Sequence, residues 1–516
     1  MKSEIAIVWF KRDLRTTDHI PLVEGGKNQR LLCLYIKETN LRYYPTNQSL
    51  FIDEALKDLS VDLASLGQKL NILHGDILEI LGQINQQYSI SKILSHEETG
   101  DLQTFKRDKL VRKWCVHNGV DWKEYPSNGV VRGLKDRNAW SRVWRERMRV
   151  PIIDPPSFDG VTPINLDLKT NFGVKSGMSK NIALSTLRQK GGLKNGIESY
   201  DLFLKGKCLN YRKGMSSPII APEVCSRLSP YLAVGIMSTK EVYRRVCDQI
   251  TELKHNKYCT DNKKMIEGLV TFKSRLHWRC HFIQKLEMEP SIEKKAIHPS
   301  FDGVYELKSN ASHLDAWKNG NTGYPFIDAC MRFLKSNGWI NFRMRAMLTS
   351  FSSYDLHNHW TYTAEWLRLL FTDFEPGIHY PQIQMQSGLT GINTLRVYNP
   401  IKQGMDFDKD GSFTKKWVPE LRNIDNDYIH QPWLLSNARC AKINFKLDRD
   451  YPRPIVDHET SSKKMAGLIY SIKKKQRTKE LSKTVYLKHG SRKTLRSSRR
   501  KSVPKSVQKT LDFSGQ

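Results

Sequence analysis

The 516-residue chain has no CxxC pair, and its nine cysteines (Cys33, Cys115, Cys208, Cys225, Cys247, Cys259, Cys280, Cys330 and Cys440) are scattered without metal-ligand spacing. This argues against a metal-knuckle or disulfide-framed fold, so no metal is expected and the thiols read as reduced, buried small hydrophobes. No run of roughly 18 uncharged apolar residues occurs, which removes the usual signal of a membrane-spanning helix. The N-terminus opens with Lys2 and Glu4 and then a strand-like IAIVWF, not a leader's apolar core. A soluble intracellular protein is expected, cytoplasmic or associated with nucleoid or nucleus, and monomeric. Acidic residues are scarce: 53 Asp and Glu face 83 Lys and Arg, for a net charge of +30. Such a balance favours a polyanionic partner over an acidic small molecule. From position 473 to the end there are 15 Lys/Arg and 2 Asp/Glu, so the tail supplies +13 and the body is basic in its own right.

Hydrophobic patterning divides the chain. IAIVWF (5–10), LLCLYI (31–36), NILHG (71–75) and SKILSH (91–96) are short β-branched runs that read as buried parallel strands. SLFIDEALKDLSVDLASLG repeats its apolar residues at three and four and reads as a crossover helix. Alternation of this kind predicts a doubly wound, Rossmann-like α/β domain over residues 1–130, with any ligand at the carboxyl ends of the strands. Residues 131–205, broken by Gly, Pro and Asn and carrying the basic aromatic stretch AWSRVWRERMR, read as a connector. Helical periodicity dominates 206–472, predicting an all-α domain. Residues 473–516 alternate Lys/Arg with Ser/Thr and are expected to be a disordered basic tail.

Five blocks carry chemistry. WFKRDLRTTDHIPL follows the first strand. In VCSRLSPYLAVGIMS, the hydroxyls of Ser226 and Ser229, the charge of Arg227 and a following helix N-terminus make a natural pyrophosphate cradle. RLHWRCHFIQKL sets Arg275, Trp278 and Arg279 on one helix. AWKNGNTGYPFIDACMRFLKSNGWINFRMRAML leads to DFEPG, and LRVYNPIKQGMDFDKDGSFTKKWVPEL closes the series. In this order and spacing they resemble the photolyase/cryptochrome family, over roughly residues 5–475.

That resemblance implies an antenna domain followed by an FAD-binding domain, acting on UV-damaged DNA. By it, Tyr211, Cys225, Ser226, Arg227, Leu228, Ser229, Phe272, Arg279, Arg345, Asp373, Phe374 and Glu375 hold FAD. Arg275, Trp278, Arg279, Phe342, Arg343, Met385 and Gln403 meet DNA, and Trp360, Trp278 and His379 serve the photochemistry. A second antenna chromophore of unspecified identity is also implied, although Thr104 stands where folate-binding relatives carry a glutamate ahead of the pair matched by Arg107 and Asp108. Trp278 would stack on a flipped base. The more ordinary reading of each block is structural: Arg12, Asp13 and Arg15 as domain ties, Ser226 as a helix cap, Trp278 as a core aromatic, Arg345 and Asp373 as a buried ion pair.

The chain departs from the family pattern in the cavity. Arg275 replaces a lesion-binding glutamate, Cys225 a threonine, and Asn341 the histidine of (6-4)-repairing relatives. His379 is an uncommon occupant of its place, and Leu307 and Ile383 stand where two members of a three-tryptophan electron path belong. Three readings therefore remain open from sequence: light-driven splitting of pyrimidine dimers, a cryptochrome photoreceptor with little or no repair, and a DNA-binding flavoprotein with little light chemistry. The last residues, QKTLDFSGQ, place Gln508, Leu511 and Phe513 at the spacing of a sliding-clamp-binding peptide.

Overall fold

The computed structural model describes residues 2–38, 46–166, 184–255, 260–305 and 310–491. Leu307 and the clamp-like Gln508, Leu511 and Phe513 lie outside them. A parallel sheet is built from β1 (Glu4–Phe10), β2 (Arg30–Glu38), β3 (Leu70–Gly75), β4 (Ser89–His96) and β5 (Asp121–Tyr125) in the order β3-β2-β1-β4-β5. A two-residue β6 (Thr162–Pro163) pairs with β2. The four apolar runs seen in sequence are β1 to β4. β5, sequence DWKEY, is an edge strand that buries only Trp122 and so carries no apolar run to betray it. The helices Asn47–Ser65, Ile77–Gln87 and Leu102–His117 cover the sheet, each started by a side-chain cap from Thr46, Asp76 or Asp101.

The start of the connector forms a helix, Trp140–Arg149, that buries Trp140, Trp144 and Met148. Trp140 and Trp144 pack on His277 of the long helix Thr260–Met288. Around that helix the second domain is helical throughout, with a core including Trp317, Phe326, Met344, Tyr354 and Trp360. The contact between Thr260–Met288 and Pro376–Gln386 depends on Gly377, where a Cβ would come 2.6 Å from the Ile283 Cα.

Residues of the WFKRDLR motif tie the domains together. Arg12 donates to the carbonyls of Ala233 (2.8 Å) and Phe374 (3.0 Å), and Arg15 to that of Gly235 (3.0 Å). Gly235 has φ +71°, and a Cβ there would lie 2.1 Å from the Arg12 carbonyl oxygen, so the tie needs glycine in the facing turn. Asp13 accepts from His19 (3.0 Å) and His96 (2.8 Å); burial drives His96 down to about 3, so both imidazoles are neutral donors to one carboxylate.

The C-terminal boundary differs from the sequence expectation. Residues 473–489 do not form a structureless tail: His458–Lys474 is followed by a further helix, Gln476–His489, that buries Thr478, Val485 and His489. The lysines that suggest disorder lie on its outer face, while Glu289 accepts from His489 (2.7 Å) and pairs with Lys488 (2.9 Å). His298 anchors the other end at Thr478 and Ser482. Hydrogen bonding from His489, aided by Lys488, holds Glu289 at about 2, below the ordinary 4.5. A depressed carboxyl stabilises the docked helix above pH ~4.5 and loses that contribution as pH falls toward 2. Glu289→Ala should therefore speed amide hydrogen exchange across 476–489 at neutral pH while the sheet keeps its protection. Unchanged exchange would show that Glu289 is not the anchor.

Candidate functional site

Some of the residues singled out from sequence are brought together from separate elements. Tyr211, on the helix Cys208–Gly214, packs with Phe272 through Phe203: the ring centroids lie 5.4 Å and 4.9 Å from Phe203. Arg275, one turn beyond Phe272, contacts Met215 and lies against Tyr211. Burial pushes the Cys225 thiol up to about 12, so it is a neutral lining atom and no nucleophile.

Arg227 has φ +54°, a conformation non-glycine residues rarely hold, and its guanidinium lies 3.9 Å from the Trp339 ring centroid. Its Nε donates to Gln189 (3.1 Å), and burial lowers it to about 10, still a full cation at neutral pH. The expected phosphate cradle is altered in form. The helix that follows, Ser229–Ala233, is a single turn and has Pro230 at its second position, so it lacks one amide and any substantial dipole. Ser226 Oγ accepts from the Leu228 amide (3.4 Å), Leu228 is itself a core side chain, and Ser229 is exposed. What this loop offers an anion is the Arg227 cation and the Ser229 hydroxyl, with Leu228 contributing backbone alone.

Across the site, Arg345 is locked in place. Its Nη1 and Nη2 donate to the two oxygens of Asp373 at 3.0 and 2.9 Å, its Nε donates to the Ile340 carbonyl (2.7 Å), and its plane lies 4.1 Å from Phe371. Asn341, just ahead of the helix Phe342–Ser350, gives its amide to the Met215 carbonyl (3.2 Å), while its Oδ1 is buried without a partner. Arg279 donates to Glu375 (2.9 Å) and to the Leu232 carbonyl (2.8 Å), and Glu375 keeps a second oxygen buried and unpaired. Glu375 Oε2 is also 3.6 Å from Arg12, so this position serves the domain junction as much as the cavity.

His379 is packed between Phe371 and Phe374 and hydrogen-bonded through Nε2 to the Ala364 carbonyl (2.9 Å). Burial holds it at about 4, so it is a neutral imidazole with Nε2 as donor and a lone pair on Nδ1. Ala364 lies one turn along the helix Trp360–Leu370 from buried Trp360. Ile383 is buried and cannot relay an electron as an indole would.

Trp278 is half-buried, set against His281 (5.0 Å) and Phe282 (6.0 Å). Phe342 is 42% exposed and Met385 half-buried. Arg343 lies 4.8 Å over Phe407, on the same helix, Pro400–Phe407, that carries Gln403. Arg343 Nε and Gln403 Oε1 are buried without partners. Sequence reasoning missed Trp339, Phe371 and Gln189. The two rings supply the flat faces for Arg227 and Arg345; each adjoins a picked motif, and that adjacency was the available signal.

Comparison with known proteins decides the ancestry. The DNA photolyase model matches residues 6–134, and the model of the FAD binding domain of DNA photolyase matches 272–470. The chain belongs to the photolyase/cryptochrome family. It is 25% identical over 90% of its length to a deoxyribodipyrimidine photo-lyase of Alkalihalophilus pseudofirmus, covering 97% of that protein. It is 26% identical over 88% of its length to the cryptochrome DASH of Xenopus laevis, covering 90% of it. A bacterial class III photolyase structure from Agrobacterium tumefaciens superposes with a TM-score of 0.75 at 24% identity, over 92% of this chain and 99% of the other. An archaeal photolyase from Sulfolobus tokodaii, solved with two FAD molecules, superposes at 0.70 with 23% identity, over 91% and 100%.

The helical domain is thus an FAD-binding domain, and its lining fits a flavin dinucleotide. A half-buried cation without a hydrogen-bonded carboxylate (Arg227) suits phosphate, the unpaired Asn341 and Glu375 oxygens suit N–H and O–H donors, and aromatic walls suit planar rings.

Proposed function

We propose that this chain is a light-driven, FAD-dependent repair enzyme of the deoxyribodipyrimidine photolyase type, acting as a monomer on UV-damaged DNA. What supports the reading is the packing that joins the elements bearing these residues: Arg275 lies against Tyr211 and Met215, Asn341 holds the Met215 carbonyl, Arg227 lies near Arg345 and Asp373, and the helix of Trp278 packs on the helix of Met385 through Ile283 and Gly377. FAD, when bound, supplies under blue light the electron that splits the dimer. The protein's part is placement. Trp278 and Met385 give an extruded pyrimidine pair an apolar, stacking surface, and Arg343 with Gln403 meets the flanking strand. Arg345 and Asp373 hold one wall rigid and fix opposite charges beside the isoalloxazine position. Tyr211, Ser226, Ser229 and Arg227 take the phosphates and ribityl chain, and Arg279, Phe374 and Glu375 close the junction with the first domain. His379, neutral over the physiological range, offers a lone pair without a charge.

One observation favours the photoreceptor alternative. Arg275 places a cation where a lesion-binding carboxylate would stand, and Asn341 cannot act as a general acid. The two readings separate in one assay. Flavin-loaded, chemically reduced protein under blue light should restore cyclobutane dimers in single- or double-stranded oligonucleotides. Failure on these and on (6-4) lesions in both contexts would overturn the repair reading.

A further inference from the structure

Ligands of a doubly wound sheet sit outside the carboxyl ends of the strands where the order reverses, here beside β1 and β4. A second light-absorbing cofactor, as implied by resemblance to the family, has this crevice as its natural seat. Among the described residues, the crevice is crossed by Arg107 from the helix Leu102–His117. Its guanidinium donates to Glu38 at the end of β2 (2.6 Å), to Glu98 just after β4 (2.5 Å) and to Asp108 (2.7 and 2.9 Å). It also lies 4.9 Å over Trp9 of β1. Lys11 Nζ adds a second cation 4.8 Å from Trp9 and 5.6 Å from Trp122, within 3.8 Å of Asp108 and Glu124. Arg112 covers Trp122 at 4.2 Å.

The two indoles that would stack a planar chromophore therefore carry the protein's own cations, and Glu38, Glu98, Asp108 and Glu124 each already have a cationic partner. Burial raises Glu38 to about 7, even against Arg107, as expected for a carboxyl sealed from water. The neighbouring cavity, bounded by Arg12, Arg15, Glu98, Ser127 and Glu375, has a volume of about 30 Å³. That is room for about one water.

We propose that this crevice, as the described residues form it, is occupied by the ion network and takes no second chromophore. The crevice is tested apart from the repair reading. Holoprotein should release one FAD per chain and no other chromophore on denaturation. Wild-type holoprotein, its FAD site already filled, when titrated with FMN, FAD or folate should show no quenching of tryptophan emission beyond that of free tryptophan. The double variant Glu38→Gln/Arg107→Ala, which removes the crossing side chain and one of the acids it neutralises, should bind at least one of these planar probes about 10-fold more tightly than wild type.

A stoichiometric second chromophore in the holoprotein, or micromolar probe binding by wild type, overturns the proposal. So does a folded double variant that gains nothing, because the network would then not be the obstruction. If that variant does not fold, Arg107→Lys serves: a lysine keeps the charge but loses the fork that spans Glu38 and Glu98, so at least one probe should bind measurably, and flat titrations of this folded variant would overturn the proposal. Absence of FAD from the holoprotein would count against the repair reading and leave the titrations informative.

Discussion

Trp278→Ala is expected to weaken binding of dimer-containing DNA by about 10- to 100-fold while FAD content and melting temperature stay near wild type. Stacking of a base on an aromatic contributes roughly 1–3 kcal/mol, and 1.4 kcal/mol is a factor of ten. Trp278 is half-buried, and its contacts are edge-on to His281 and loosely tilted to Phe282, so its removal opens no sealed core cavity. The variant should also keep its affinity for undamaged duplex, which basic residues such as Arg343 would dominate through phosphate contacts. Binding curves at two salt concentrations separate the cases. A specific loss appears as a drop confined to damaged DNA with an unchanged salt slope. Parallel loss of FAD and lesion affinity would make Trp278 a structural residue.

What was legible from sequence followed from periodicity and from spaced chemistry. The runs that became β1, β2 and β4 read as parallel strands because they are largely buried on both faces, whereas β3, at the sheet edge, leaves Ile72 exposed and was legible from its β-branched run alone. The failures have physical causes. β5 has one buried side chain and charged neighbours, so its strand character comes from pairing with β4 and not from its own pattern. The helix Gln476–His489 was hidden by its exposed lysines, because its docking depends on Glu289 and His298, almost two hundred residues away. The phosphate loop looked like a helix N-terminus, yet Pro230 and the single turn beyond it leave Arg227 as its main electrostatic element. In the cavity, composition showed which residue types were present. It did not show that the guanidinium carbons of Arg227 and Arg345 sit 3.9 and 4.1 Å from an aromatic ring centre, a property of the fold.

Arg345→Ala is expected to abolish stable FAD retention and to cost the helical domain about 3 kcal/mol. Removing one partner of a buried ion pair costs about 3–5 kcal/mol, and the lower end applies because the Arg345 side chain is 23% exposed and partly hydrated. The loss is compound: Asp373, 5% exposed at its side chain, would keep a charge with both former donors gone, the Ile340 carbonyl would lose its partner, and Phe371 its cover. Asp373→Asn should be milder, since an amide of the same shape can still accept from one guanidinium N–H. Arg345→Lys discriminates between charge and geometry. A lysine restores the cation but not the fork that spans both carboxylate oxygens and reaches Ile340, so it should recover part of the stability and little of the cofactor binding. Denaturant midpoints of the helical domain, read by intrinsic fluorescence beside FAD content per chain, measure both quantities on the same samples. Full rescue of FAD content by Arg345→Lys would show that positive charge alone is required. The site would then be electrostatic in origin, and the bidentate geometry incidental to how this chain holds its flavin.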